Sequence, residues 1–320
     1  MELKQLKYFT QVADSESFSR AAELLHISQP SLSQQIKNLE EELEVDLLVR
    51  HPRGVALTEL GKEFYGRAHR ILQEAENAKD AMWEKSVNPS GKLLVGIPTS
   101  ACRGLSHPLF RTLADRYPNI RLHIVEAMTS YLDDLIQAGR LDVALLYNHK
   151  AYEHVAWTEM MVEQFMLFVR PDNPIHTVES ISFRELFDLP IVLPGRPNVM
   201  NIVMEQLAIR HGIHYKALDC DSLPAIAKMI CESDYMSVMP HFAFSEEVDQ
   251  GTMTAIPIVD PTPSWRLSVV VSKRTLNIRG SQAVAETMAD VIAGMVETGK
   301  WRAQLSSAVN QKSAVRFTGS

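Results

Sequence analysis

Between residues 28 and 43, SQPSLSQQIKNLEEEL, hydrogen-bonding and apolar side chains separate onto two faces. Ser31, Ser33, Gln34, Lys37 and Asn38 take one side; Leu32, Ile36, Leu39 and Leu43, recurring at helical spacing, take the other. Amide and hydroxyl side chains set out along a helix match the donor and acceptor pattern of base edges in the DNA major groove, where a good bidentate pairing discriminates bases by roughly 1–3 kcal/mol. Taken alone, such a face would serve equally as a solvated surface. What decides between these readings is the set of elements around it.

Ser17 is placed to cap a short helix whose buried side is Phe18, Ala21, Ala22, Leu24 and Leu25, and His26 and Ile27 make a turn. Ser28 then caps the polar helix, with Pro30 in its first turn, where a missing N–H is tolerated. A helix over 3–15 adds Leu6, Phe9 and Val12 to the same small core, and residues 47–58 read as a wing, with Arg50 and Arg53 flanking Pro52 before Gly54. Residues 1–58 are therefore expected to be a winged helix-turn-helix DNA-binding domain. A helix over 59–87, on the order of 45 Å long at 1.5 Å per residue, carries Leu60, Phe64, Ala68, Ile71, Ala75, Ala78 and Met82 along one seam. A seam of that length requires a partner, either the same helix of a second copy or the chain's own C-terminal domain.

The string from Phe9 through Gly61, with its SQPS.S.QI..LE..L core and the LT..G that follows, resembles the N-terminal domain of the LysR-type transcriptional regulators, and the likeness extends more loosely to about Trp301. LKYF, LHISQP and VRHPRGVALTELGKEFY are most similar to the nitrogen assimilation control branch. The resemblance implies that Gln29, Pro30, Ser33 and Gln34 read bases and that Arg53 enters the minor groove. Many relatives carry Arg at the position of Gln34, and Gln favours adenine where Arg favours guanine. It also implies dimerisation through the long helix, so that two reading domains address a two-fold symmetric promoter site.

Asn88, Pro89, Ser90 and Gly91 break the helical pattern. Beyond them strands (92–97, 120–126, 141–147) alternate with helices (104–117, 131–138), the mark of a parallel sheet covered by helices. A second set of strands follows at 165–170, 190–193, 214–218 and 236–239, with Ser182 and Glu185 spaced as a capping box. A strand over 267–272 and a helix over 282–298 return to the first set. By resemblance, 88–305 is a two-lobe α/β effector-binding and oligomerisation domain of the periplasmic-binding-protein type. Lobe I covers about 92–156 and 265–300 and lobe II about 157–264. Residues 306–320, polar and without periodicity, are expected to be a disordered tail.

Ligands of open α/β sheets sit at the carboxyl ends of strands, where helix N-termini offer free N–H groups to an anion. Thr99 and Ser100 follow the first strand and Thr129 the second; Pro194 and Asn198 follow a strand of lobe II. Ser100 and Thr129 fall on effector positions of the resembled family, although plain helix capping would also account for hydroxyls there. An organic or aromatic carboxylate is the expected effector. Ser233, Asp234 and Tyr235 stand where the resemblance expects glycines before the Met239–Pro240 turn. Their bulk would narrow the cleft, which keeps an effector-independent regulator as an alternative.

The formal net charge of −7 carries no sign of a nucleic-acid partner, because Glu40, Glu41, Glu42, Glu44 and Asp46 offset the cations of the DNA-binding segment. Three cysteines without metal spacing fit reduced, mostly buried thiols, with a Cys220–Cys231 peroxide switch as the lesser reading. No phosphate-cradling loop, zinc motif, cofactor signature or nucleophile with a base is present, and the His211/His214 pair reads as a surface cap. The chain is read as a cytoplasmic non-enzyme, with no signal peptide, no membrane-spanning segment and no cofactor. Its expected partners are double-stranded DNA, a small-molecule effector, further copies of itself as a homodimer or homotetramer, and RNA polymerase. The rival class is a ligand-binding or enzymatic α/β protein with an incidental DNA-binding domain.

Overall fold

The computed structural model describes residues 1–51, 54–83, 89–150, 152–275 and 277–310. The chain divides into two compact units, Met1–Val87 and Asn88–Ser320.

In the first unit, helices α1 (Leu3–Ser15), α2 (Phe18–Leu24) and α3 (Gln29–Leu43) precede strands β1 (Leu48–His51) and β2 (Gly54–Leu57) and helix α4 (Glu59–Trp83). The periodic residues do close one core: Leu6, Phe9, Val12, Phe18, Ala21, Ala22, Leu32, Ile36, Leu39 and Leu47 are buried together. Leu24 is a correction, standing 59% exposed because it turns to the outer side of α2. Ser17 accepts the Arg20 N–H at 3.4 Å and Ser28 the Ser31 N–H at 3.3 Å, so both expected caps form. Between them the chain reverses at His26, φ 54°, and the Ile27 N–H returns to the Ala22 carbonyl at 3.0 Å.

Three contacts fix the wing to α3 and α4. Oε1 of Glu40 accepts the N–H groups of Leu47 and Leu48 at 2.8 and 3.0 Å, tying the strand entry to the helix before it. Gly61 lies so close to the Leu47 carbonyl that a Cβ there would come within 2.0 Å of its oxygen, so α4 crosses the wing entry only with glycine at that point. Thr58 completes the junction, donating to the Asp46 carbonyl and accepting the Gly61 N–H, each at 2.8 Å. The expected seam of α4 is divided: Phe64 and Ala68 pack on this unit's own core, whereas Leu60 and Ile71 are exposed. The side chains of Ala78 and Met82 lie outside the described residues.

The second unit runs β3 (Gly91–Pro98), α5 (Thr99–Arg116), β4 (Ile120–Ala127), α6 (Thr129–Gln137), β5 (Val143–Tyr147), β6 (Val155–Val169), β7 (Ile181–Ser182), β8 (Ile191–Leu193) and α7 (Val199–Arg210). It continues with β9 (Leu218–Asp219), α8 (Leu223–Glu232), β10 (Met236–Pro240), α9 (Ser245–Asp249), β11 (Thr254–Val259), β12 (Ser264–Ser272), α10 (Ile278–Glu297), β13 (Gln304–Leu305) and α11 (Ser307–Asn310). One sheet path, β4-β3-β5-β12-β6-β10-β8-β9, spans both lobes. In lobe I, β3 pairs parallel with β4 and β5; in lobe II, β10 pairs parallel with β8. Strand β6 belongs to both: residues 155–164 pair with β12, and residues 165–169 with β10 and β11.

Several sequence expectations change here. Helix α5 starts at Thr99 rather than 104, and α6 at Thr129 rather than 131, so the hydroxyls expected to precede these helices form their first turns. The strand expected over 165–170 begins at Val155, and that over 214–218 is only the pair Leu218–Asp219. Ser182 and Glu185 make both capping-box bonds, at 3.0 and 3.4 Å, yet cap a single 3-10 turn. Of the tail, residues 307–310 form α11, and Ser306 donates to the Glu159 carbonyl at 2.5 Å and, through its N–H, to that of Met160 at 2.9 Å. Residues 311–320 lie outside the described residues. The cysteines are free, with Cys102 and Cys220 half-buried and Cys231 exposed, which corrects the expectation of mostly buried thiols.

Candidate nucleic-acid interface and effector cleft

On α3, Gln29, Pro30, Ser31, Gln34, Lys37 and Asn38 are exposed and Ser33 is half-buried, while Leu32, Ile36 and Leu39 are buried. Gln29 stands at the first helical position, beside Ser19 of α2 at 3.5 Å. Gln34 donates to Asn38 at 2.8 Å, and Lys37 pairs with Glu41 at 3.4 Å on the exposed side, a contact weak enough to exchange for a phosphate. Arg53 lies outside the described residues. β1 and β2 flank it, paired antiparallel from Leu48↔Leu57 to His51↔Gly54.

In the second unit one cavity gathers all five residues singled out at strand ends: Thr99 and Ser100 after β3, Thr129 after β4, and Pro194 and Asn198 after β8. Tyr147, Trp265, Met239 and Asp221 also line it. Met239 belongs to the turn that the resemblance singled out; no signal in the sequence marked the other three. Partly open to solvent, the cavity holds a space of about 60 Å³, small beside the few hundred usual for organic ligands. Ser233, Asp234 and Tyr235 are not among the lining residues. They precede β10, while the cavity lies at its carboxyl end, so their bulk does not narrow it.

The four helix N-termini around this cavity differ in kind. In lobe I, α5 and α6 begin after Pro98 and Met128 with no side chain capping them. Their first N–H groups are oriented dipole ends suited to an anion. In lobe II, Asn198 accepts the Met200 N–H at 3.0 Å and Ser222 the Ala225 N–H at 3.4 Å, so α7 and α8 are capped from within. Asn201 donates to the Pro194 carbonyl at 2.9 Å and holds the loop that carries Asn198.

Behind the wall lies a buried carboxylate that sequence reasoning passed over. Ser100 Oγ and Tyr147 Oη are 3.0 Å apart, and the Tyr147 ring stacks on Trp265 at 3.6 Å and 16°. The Trp265 indole donates to Glu163 Oε2 at 2.7 Å, and the Trp301 indole to Oε1 at 2.7 Å. Trp301 in turn stacks on Phe242 at 3.8 Å. Glu163 is fully buried on β6, and burial pushes its carboxyl up to about 7 although both indole bonds pull it down. Burial also drives the Tyr147 hydroxyl well above its usual value, aided by the charge of Glu163, so it remains a neutral donor. His241, buried beside this layer, is held down at about 4 by burial and by Arg302.

Among the described residues there is no cluster of His, Cys, Asp and Glu that could hold a metal, and no helix long and apolar enough to cross a membrane.

A helix-turn-helix followed by a two-lobe α/β domain defines a class of regulator, and comparison with known proteins gives the family. The description "Bacterial regulatory helix-turn-helix protein, lysR family" matches residues 3–62, and "LysR substrate binding domain" matches residues 86–293. The chain belongs to the LysR family of transcriptional regulators, with a DNA-binding helix-turn-helix and an effector-binding domain. It is 28% identical to the nitrogen assimilation regulatory protein nac of Klebsiella aerogenes over 295 residues, 92% of this chain and 96% of that protein. It is 37% identical to the Hca operon transcriptional activator HcaR of Escherichia coli K12 over 187 residues, 58% of this chain and 62% of that protein. Its fold is that of a full-length OxyR variant from Pseudomonas aeruginosa (TM-score 0.69, 24% identity, 90% and 94% of the two chains covered). It is also that of full-length CbnR in complex with its target DNA (TM-score 0.67, 21% identity, 92% and 99% covered).

Proposed function

We propose that this regulator reads a two-fold symmetric promoter site through Gln29, Pro30, Ser31, Ser33, Gln34 and Lys37 of α3 and Arg53 of the wing. It acts in the cytoplasm as a homodimer or homotetramer, in contact with RNA polymerase and without enzymatic activity. A small organic carboxylate, bound between the lobes at Thr99, Ser100, Thr129, Pro194 and Asn198, sets which arrangement of the reading domains is populated. Such a ligand shifts that equilibrium only by its differential affinity for the two arrangements.

The observation that carries the effector half is one cavity bounded by two uncapped helix N-termini and lined by hydroxyls from both. Its small volume favours a compact acid over an aromatic one, which would enter only if the lobes part. The exposed Leu60 and Ile71 of α4 support the oligomer. A peroxide switch gains no support from Cys231: although the residue is exposed, partial burial of its thiol and the neighbouring Glu247 and Glu232 push that thiol up, away from the reactive thiolate.

The test is footprinting on DNA upstream of the protein's own coding sequence, with excess random competitor, for the wild type and the double variant Gln29→Ala, Arg53→Ala. A symmetric protected site that survives competitor, and weakens at least tenfold in the variant, is expected; protection that competitor removes from the wild type overturns the DNA half. For the effector half, a panel of small carboxylates is screened by thermal shift; if none raises Tm, it falls.

A further inference from the structure

The two sides of the cleft are chemically unlike. On lobe I, the uncapped N-termini of α5 and α6 and the hydroxyls of Thr99, Ser100, Thr129 and Ser130 offer only positive dipole ends and neutral donors. On lobe II, both helix N-termini are already closed by Asn198 and Ser222. The charged group there is Asp221, and among the described lining residues no Lys, Arg or His stands against it. The Gly195 N–H at 2.9 Å pins Oδ1 of Asp221, which fixes this exposed carboxylate at the cavity edge and leaves Oδ2 for a ligand. A ligand that carries only a carboxylate satisfies lobe I and meets a like charge on lobe II, with no cation in the lining to offset it.

We propose that the effector is a compact zwitterion of the amino-acid class, its carboxylate on the first turns of α5 and α6 and its ammonium on Asp221. This rests on the reading of the cleft as a carboxylate site and adds the second pole. It also supplies what a regulator needs of its ligand. A molecule with one charge for each lobe binds more tightly when the lobes approach, whereas a simple acid grips lobe I alike in either arrangement. The Tyr147 and Trp265 rings close the inner wall between the two poles, so the body joining the charges is short and lightly apolar. Space of about 60 Å³ leaves no room for a long one.

The experiment is calorimetric titration and thermal shift of the full-length protein with the common amino acids, β-alanine and γ-aminobutyrate. Each is set beside the keto or hydroxy acid that lacks its ammonium and the amine that lacks its carboxylate. At least one amino acid is expected to bind at least tenfold more tightly than both counterparts. Asp221→Asn keeps an acceptor for the Gly195 N–H and so preserves the loop; it should erase that advantage by weakening the amino acid, while the ammonium-free acid, relieved of a like charge, binds at least as tightly as before. Asp221→Lys should invert the preference toward a dicarboxylate such as succinate. If acids bind as well as amino acids and Asp221→Asn changes neither, the zwitterion is wrong and the carboxylate site stands. If only the amines bind, or nothing in the panel does, both readings fall.

Discussion

Glu163 shows how far one residue can be from its sequence signature. In the sequence it is an acid among acids; in the structure it is the acceptor shared by two indoles on the strand that belongs to both lobes. Indole N–H groups only donate, so holding both tryptophans calls for two acceptor oxygens in a dry site, which the carboxylate supplies against the penalty of burial. The folded chain, with this carboxyl at about 7, keeps a proton that the unfolded chain loses near the ordinary 4.5. Folding stability from this group is therefore full below about 4.5 and declines as pH rises through about 7, by about 3 kcal/mol at 1.36 kcal/mol per unit. His241 works the other way, adding stability as pH rises from about 4 to 6.5. Urea unfolding of wild type and Glu163→Gln at pH 5 and pH 8 separates the two, since His241 is common to both proteins. The difference in stability between them should change by about 3 kcal/mol in favour of the variant at the higher pH. An equal pH dependence in both proteins would remove Glu163 as the cause.

Elements were legible where caps and periodicity agree. α3 carries Ser28, Pro30 and a regular apolar stripe, and its start was readable to the residue. α8 carries the same start signals, Ser222 as cap and Pro224 in the first turn, and went unread because its buried side, Ile226 and Ile230, is too short a pattern to stand out. β11 was missed because Pro257 sits within it; the strand keeps its pairing with β6 across Thr254↔Val169 to Pro257↔Met166 nonetheless. The first ten residues of β6 were missed because Glu159, Glu163 and Gln164 break the apolar run, and only the distant partners Trp265 and Trp301 explain the burial of Glu163. The role of Glu40 was equally invisible: as sequence it offsets a lysine, as structure it holds the wing. Glu40→Ala should destabilise the first unit by about 1–3 kcal/mol, the penalty for unsatisfied donors, while Glu40→Gln, which keeps an acceptor, should retain most of that stability. Thermal unfolding of the full-length variants checks this; equal losses for Ala and Gln would mean that the two bonds to Leu47 and Leu48 contribute little.

At the scale of the molecule, the five cleft residues chosen at strand ends share one cavity, because the strand-end rule depends on sheet topology; for Ser100 and Thr129 the family resemblance pointed to the same place. The other walls of that cavity, Tyr147, Trp265 and Asp221, come together only through chain crossings that no local pattern encodes. Assembly is the other property of this scale. With Phe64 and Ala68 packed on the first unit's own core, Leu60 and Ile71 are the described seam residues left exposed for the proposed contact with a second copy. The double variant Leu60→Glu, Ile71→Glu should therefore sediment as a smaller species and lose at least tenfold in affinity for the symmetric site, with no loss of helix content. An unchanged sedimentation coefficient would place the subunit contact elsewhere.

Strand β6 passes unbroken from one lobe to the other and is hydrogen-bonded along its length in both. Lobes joined in this way do not swing on a slack tether. Any relative rotation must be taken up as added twist in a strand that is paired on both sides, and pleated strands resist twist elastically. Under the proposed mechanism β6 would act as the torsion spring of the effector domain: a ligand that draws the lobes together would wind it, and its departure would let the strand unwind.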